Sequence, residues 1–317
     1  MRRAALGVLR RTQAIGRVTG TFDFGFYAPS GVVFDEGAVD RATRRLLAAG
    51  HRVVEDTTSR ARHQRFAGDD DERLAAIARM AARDDVDVAV AIRGGYGLSR
   101  LLHRIDFAAL SHGRTRWLGH SDFTAFQLAA LARAGMITYA GPMVAYDFGA
   151  EVASDYTFEH CFAMLGAREH EVEVELDGPD VAGIAGTLWG GNLAMVAHLV
   201  GTPFFPRIDG GILFLEDVSE HPYRIERMLY QLLHAGILQR QRAIVLGRFT
   251  DYRLFPHDDG YDLPIVVSHL RAAVDVPVYT GLPVGHIRDK LTLPVGGRAT
   301  LATIRDGAAR LVLNVAP

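Results

Sequence analysis

The sequence predicts an α/β protein, with a doubly wound parallel layer first and a strand-rich mixed α/β unit after it. Three observations carry this expectation. Residues 22 to 145 alternate short apolar strands with amphipathic helices, the pattern of repeated βα units around a parallel sheet. "VDVAVAI" at 86–92 is continuously apolar, as for a strand covered on both faces. Beyond about residue 183 the chain changes to short strands separated by turn residues.

The elements follow in order. "FDFGFYAPSG" at 22–31 is a strand running into a Pro/Gly turn. "AVDRATRRLLAAG" sets Val39, Ala42, Leu46 and Leu47 on one helical face and stops at Gly50. "HRVVE" is a strand. "DDDERLAAIARMAAR" opens with acids suited to a helix N-terminus, with Leu74, Ile77, Ala78 and Ala81 as the expected buried face. After the 86–92 strand come "RGGYG", a helix, "RWLGHSD", the helix "FTAFQLAALARAG" and a strand near "ITYAG". In the second half, "HEVEVEL" alternates at period two, and "GGNLAMVAHLVG" and "HPYRIERMLYQLLHAG" read as helices. "GILFLE", "AIVLGRF", "VPVYTGL", "KLTLPVG", "ATLATI" and "ARLVLNV" read as strands. The expected division is an N-terminal extension at 1–20, an α/β unit at 21–150, a helix and connection at 151–182, and a strand-rich unit at 183–317.

Composition narrows the function. Of the 317 residues, 49% are hydrophobic and 23% charged, the balance of a soluble globular chain. A net charge of −2 gives no reason to expect nucleic acid or an anionic membrane as partner. No apolar run approaches the 18 or so residues of a membrane span, and "AALGVL" near the start is too short for a signal peptide core. The expected location is the cytoplasm. Cys161 is the one cysteine and lies in the apolar stretch "FEHCFAMLG", so it reads as a small buried hydrophobe. Lys290 is the single lysine, a bias toward arginine to which the sequence assigns no function.

Parallel sheets build sites at the carboxyl ends of their strands. "RGGYG" and "GHSD" both fall there. Ser121 stands where a strand turns into a helix, with the amide of Asp122 aimed at the same space. Such a serine is either a nucleophile beside an oxyanion-stabilising amide or part of a helix cap. Without a GxSxG pattern the cap is favoured on this motif alone. Gly94 or Gly95 offers a second amide, although the loop also reads as a plain βα turn. A nucleophilic serine needs a base and an orienting acid. His286 in "GLPVGH" is a candidate base, and Glu216 at the end of "GILFLED" a candidate acid, with Asp217 as its rival. "FPHDDGYD" (His257, Asp258, Asp259, Asp262) groups possible metal ligands but reads as a polar loop. No metal and no cofactor are expected.

These segments together resemble the cytosolic muramoyl-tetrapeptide carboxypeptidases, the L,D-carboxypeptidase family of serine peptidases. The likeness rests on "APSG" at 28–31, "RFAGDDDERL" at 65–74, "IRGGYGLSRLL" at 92–102, "GHSDFTAFQ" at 119–127 and "GTLWGGNLAMV" at 186–196. It continues through "GILFLEDVSEHPYRIERMLYQLLHAGIL" at 211–238, "LGRF" at 246–249, "GLPVGH" at 281–286 and "LTLPVG" at 291–296. The first twenty residues have no counterpart in it. The resemblance implies a flavodoxin-like first unit, a homodimer, and a triad of Ser121, Glu216 and His286. It implies an oxyanion hole from the amides of Asp122 and Gly95. The implied reaction cuts the bond between meso-diaminopimelate and terminal D-alanine of murein tetrapeptides during cell-wall recycling. Arg93, Tyr96, Trp189 and Asn192 are then candidate substrate contacts. Arg93 serves a carboxylate or pairs with a neighbouring acid, and Trp189 lines the groove or packs between domains. Arg224 in "HPYRIER" reads as structural. Two other functions remain open: a same-fold hydrolase of amide-linked nucleotide antibiotics, and a non-catalytic ligand-binding protein.

Overall fold

The computed structural model describes residues 20–35, 37–305 and 307–315. Residues 1–19 of the expected extension lie outside it. Five parallel strands begin the chain: β1 (Asp23–Tyr27), β2 (Arg52–Glu55), β3 (Val88–Ala91), β4 (Arg116–Gly119) and β5 (Thr138–Ala140). Helices α1 (Gly37–Ala48), α2 (Asp70–Ala81), α3 (Phe107–Ser111) and α4 (Phe123–Ala134) alternate with them. The strand order β2–β1–β3–β4–β5 is the flavodoxin-like doubly wound order. It reverses between β1 and β3, so the loops after these strands part around a crevice. There Gly31 N donates to Gly94 O at 3.1 Å, holding "APSG" against "RGGYG".

The rest of the chain is α5 (Asp155–Gly166), β6 (Glu169–Glu175), β7 (Ile184–Asn192), α6 (Leu193–Leu199), β8 (Ile212–Val218), α7 (Pro222–His234), β9 (Ala243–Thr250), α8 (Leu263–Ala273), β10 (Val278–Thr280), β11 (Leu293–Val295), β12 (Arg298–Arg305) and β13 (Ala308–Asn314). The second sheet runs β10–β9–β8–β7–β12–β13–β6, parallel from β7 to β10 and antiparallel beyond. The segment read as a connection holds α5 and the edge strand β6 of this sheet. "LTLPVG", read from the sequence as part of the second unit, instead supplies β11, which pairs antiparallel with β5 at the edge of the first sheet. The loop carrying His286 is thereby strung between the two sheets.

Several local expectations shift for identifiable reasons. The helix expected after "RGGYG" is two short turns, 98–100 and 102–104, followed by the five-residue α3. Asp122 captures Leu98 N at 3.0 Å, and Asp106 caps the new start through Ala109 N. The strand β7 hides in a glycine-rich stretch without an apolar run. Its backbone lies so close to β8 that a Cβ on Gly190 would fall 1.9 Å from Phe214 O. In α2 the buried stripe is Arg73, Ala76, Ile77 and Met80 rather than the expected face, and Ala78 is exposed. The rotation buries Arg73 because its guanidinium is satisfied by Asp70 and by Pro29 O at 2.8 Å. Arg73 thus braces the "APSG" loop from below. Cys161 is fully buried, and burial pushes its thiol up to about 12.

Candidate active site

Ser121 follows β4 with φ 65°, the left-handed region that non-glycine residues avoid at a cost of roughly 1–2 kcal/mol. Neither Ser121 nor Asp122 serves as the helix cap that the sequence favoured. Asp122 occupies the N-cap position of α4 without a side-chain cap bond. Its buried carboxylate accepts instead from Ser30 Oγ at 2.7 Å and Leu98 N at 3.0 Å. It therefore ties the loops after β1 and β3 to the corner after β4. Burial raises the Asp122 pKa, opposed by those two hydrogen bonds. A strained serine whose neighbour is spent on scaffolding is the geometry of a nucleophile elbow.

The loop after β3 packs directly on this corner. A Cβ on Gly94 would sit 2.7 Å from both Cβ and Oγ of Ser121 and 3.2 Å from Asp122 N. Only glycine leaves room there. Gly94, rather than the expected Gly95, therefore abuts the hydroxyl, and Gly95 follows with φ +102°. The amides of Gly94, Gly95 and Asp122 donate to no other group among the described residues.

Glu216 and His286, 70 positions apart, meet across the carboxyl end of β8. His286 Nδ1 lies 2.9 Å from Glu216 Oε2. A carboxylate only accepts, so Nδ1 carries the proton and Nε2 is the free imidazole nitrogen. Glu216 is buried, and its Oε1 has no partner. Asp217, the rival acid, points elsewhere and accepts from Asn192 Nδ2, Ala194 N and Val218 N at 2.8–2.9 Å. Burial pushes its carboxyl up to about 6, from 3.8. Between these values the native state holds a proton that the unfolded chain has lost, so stability falls as pH rises through the window. Asp217→Asn is expected to remove this slope, worth up to roughly 3 kcal/mol, in denaturant midpoints compared at about pH 4 and pH 7. Parallel slopes for both proteins would refute it.

His120, the residue before Ser121, brings the two halves together. Its ring packs edge-on against that of His286 with centroids 5.0 Å apart. Its Nδ1 donates to Gly141 O at 2.9 Å. Burial, then the charge of Lys290 and the His286 ring, hold its pKa well below the usual histidine value, so it is neutral. Lys290 Nζ forms a buried ion pair with Asp147 Oδ1 at 2.6 Å. His120, Glu216, Gly285 and Lys290 line one cavity between the sheets.

The other sequence candidates divide. Arg93 has no acidic partner among the described residues. Its guanidinium lies between the rings of Phe34 and Tyr146, 4.7 and 5.5 Å from their centroids, and Nη1 donates to Val32 O. Tyr96 is exposed on the glycine loop beside Phe66 and Arg65. Trp189 does not line a groove. It is 0% exposed in the core of the second unit, with Nε1 bonded to Gln241 Oε1. Asn192 is spent as well, since its side chain caps α6 at Met195 N and binds Asp217 while its own amide donates to Thr124 Oγ1 of α4. Arg224 pairs with Glu220 four residues before it on the surface. In "FPHDDGYD", Asp258 binds His221 and Phe255 N while Asp262 caps α8 and accepts from Tyr252. Sequence reasoning missed Asp147, His120, Lys290 and the glycine contact at 94. The first three carry no motif, and only their tertiary contacts single them out.

Two family models match the chain, the LD-carboxypeptidase N-terminal domain over residues 24–141 and the LD-carboxypeptidase C-terminal domain over residues 185–301. A probable murein peptide carboxypeptidase of Bacillus subtilis is 31% identical over 278 residues, covering 86% of this chain and 87% of that protein. The crystal structure of muramoyltetrapeptide carboxypeptidase from Oxalobacter formigenes superposes with a TM-score of 0.87 at 44% identity, covering 93% of this chain and 99% of that one. The microcin C7 self immunity protein MccF shares the fold, with a TM-score of 0.84 at 20% identity over 97% of this chain and 98% of that one. The matched domains span both sheets and every residue of the corner, the acid and the imidazole, and the chain belongs to the LD-carboxypeptidase family of peptidases.

Proposed function

We propose that this protein is a serine-type L,D-carboxypeptidase. It removes terminal D-alanine from murein tetrapeptide, acting in the cytoplasm as a homodimer during cell-wall recycling. One observation carries the reading: the His286–Glu216 hydrogen bond of 2.9 Å, on a loop whose imidazole packs against the residue preceding a strained serine. Ser121 is the nucleophile, His286 the base and Glu216 the acid that fixes the imidazole.

The chemistry follows from that arrangement. Nε2 of His286 takes the Ser121 proton as Oγ attacks the scissile carbonyl carbon. Glu216, held on Nδ1–H, fixes the tautomer and stabilises the imidazolium. The negative charge on the carbonyl oxygen falls toward the amides of Asp122 and of the glycine loop, Gly94 or Gly95, each worth about 3 kcal/mol of barrier. The imidazolium returns its proton to the leaving nitrogen, and D-alanine departs as the amine. Water, deprotonated by His286, then releases the acyl group and restores the serine hydroxyl.

A carboxypeptidase must also hold a free carboxylate. Arg93 suits this task, since two aromatic rings preorganise its guanidinium beside the glycine loop. Arg93→Met is expected to raise KM about 10–100-fold with a smaller change in kcat, the value of a hydrogen-bonded charge. Loss confined to kcat would remove this role. The function itself is tested by incubating the protein with murein tetrapeptide and with an aminoacyl-nucleotide amide. Release of D-alanine from the first is the expected result. Cleavage of the second alone would turn the assignment toward antibiotic immunity.

A further inference from the structure

We infer that the buried Asp147–Lys290 ion pair is a positioning device for the catalytic base, fastening the loop that carries His286 to the corner that carries Ser121. The inference rests on the roles proposed above for those two residues. Its evidence is a continuous set of contacts. Three successive residues of the His286 loop are anchored to the start of α5 and to the turn before it. Thr157 Oγ1 donates to Arg288 O at 2.7 Å, Ser154 Oγ donates to Asp289 Oδ1 at 2.6 Å, and Lys290 N donates to Thr157 Oγ1 at 2.9 Å. Lys290 Nζ then reaches Asp147 Oδ1 at 2.6 Å, with both side chains about 5% exposed or less.

Asp147 closes the circuit. Its other oxygen accepts from Met143 N at 2.7 Å and lies 4.0 Å from His120 Nδ1. His120 is bonded to Gly141 O, packs on the His286 ring, and is followed directly by Ser121. The nucleophile's loop and the base's loop are therefore both referenced to one carboxylate. A buried lysine–carboxylate pair contributes little to net stability. Its value here is geometric, because it fixes where an imidazole supplied after the second sheet stands relative to a hydroxyl supplied by the first. A displacement of about 1 Å at such a site costs on the order of 100-fold in rate.

The test compares wild type, Lys290→Met and the double variant Lys290→Met/Asp147→Asn. Turnover of murein tetrapeptide and labelling of Ser121 by a small fluorophosphonate are measured alongside thermal melting. The single variant leaves a buried carboxylate unpaired and melts earlier. The double variant removes both charges, and its melting is expected to return near that of wild type. In both, kcat is expected to fall about 30–100-fold with KM within about threefold, and labelling to slow in parallel. A double variant that melts like wild type and turns over within about threefold of it overturns the inference, as does a loss confined to KM. Should Lys290→Met fail to fold, the double variant decides alone. Undiminished activity of Ser121→Ala is a separate result, which would refute the proposed nucleophile rather than the clamp.

Discussion

Ser121→Ala is expected to lower kcat for tetrapeptide hydrolysis by about 10⁴–10⁶-fold, because the remaining oxyanion amides and binding contacts alone cannot supply an attacking oxygen. KM should change little, since the hydroxyl makes its decisive bond after binding. Fluorophosphonate labelling should vanish with it. The fold should survive, because alanine meets the same left-handed backbone that serine already tolerates at φ 65°. Ser121→Gly offers an internal check on that strain. It should be as inactive as Ser121→Ala yet more stable than it by about 1 kcal/mol, since glycine occupies this region freely. Retention of more than about a tenth of wild-type turnover in Ser121→Ala would end the nucleophile assignment.

The second large effect concerns the acid. Glu216→Gln is expected to cost about 10³–10⁴-fold in kcat, because an amide can present its NH₂ to Nδ1 and drive the imidazole proton onto Nε2. The nitrogen that must accept the serine proton is then already protonated. The buried site sharpens the effect, since no water replaces the lost carboxylate contact at Oε2. Asp217→Asn, one residue along the same strand, should change kcat by less than about tenfold, because its carboxylate serves Asn192, Ala194 and Val218. Measured side by side, the two substitutions separate the acid that faces His286 from the one that holds the scaffold. Equal losses would mean that the assignment of Glu216 rests on geometry without consequence for rate.

The legible parts of this protein are those in which neighbouring residues decide the outcome. The apolar run at 86–92 became a buried parallel strand, and the βα alternation became a 2-1-3-4-5 sheet. Short-range patterns failed where a distant partner overrode them. Glycines of β7 read as a helix start because the demand they meet, close approach to β8, comes from another strand. The face of α2 turned because a carbonyl 44 residues away accepts from Arg73. Trp189 and Asn192 drew notice as side chains rich in chemistry, and the core absorbed both.

By itself, the sequence determined the fold class, the strand-to-helix corner at Ser121 and the residue types able to act as acid and base. It could do so because backbone preference, hydrophobic period and local chemistry are written in adjacent positions. Only the tertiary structure decided which carboxylate faces His286, which glycine touches the hydroxyl, and that the lone lysine at 290 is bonded to Asp147 beside the site. Those facts are distances between residues far apart along the chain. The packing of two sheets sets them, and no short segment carries that information.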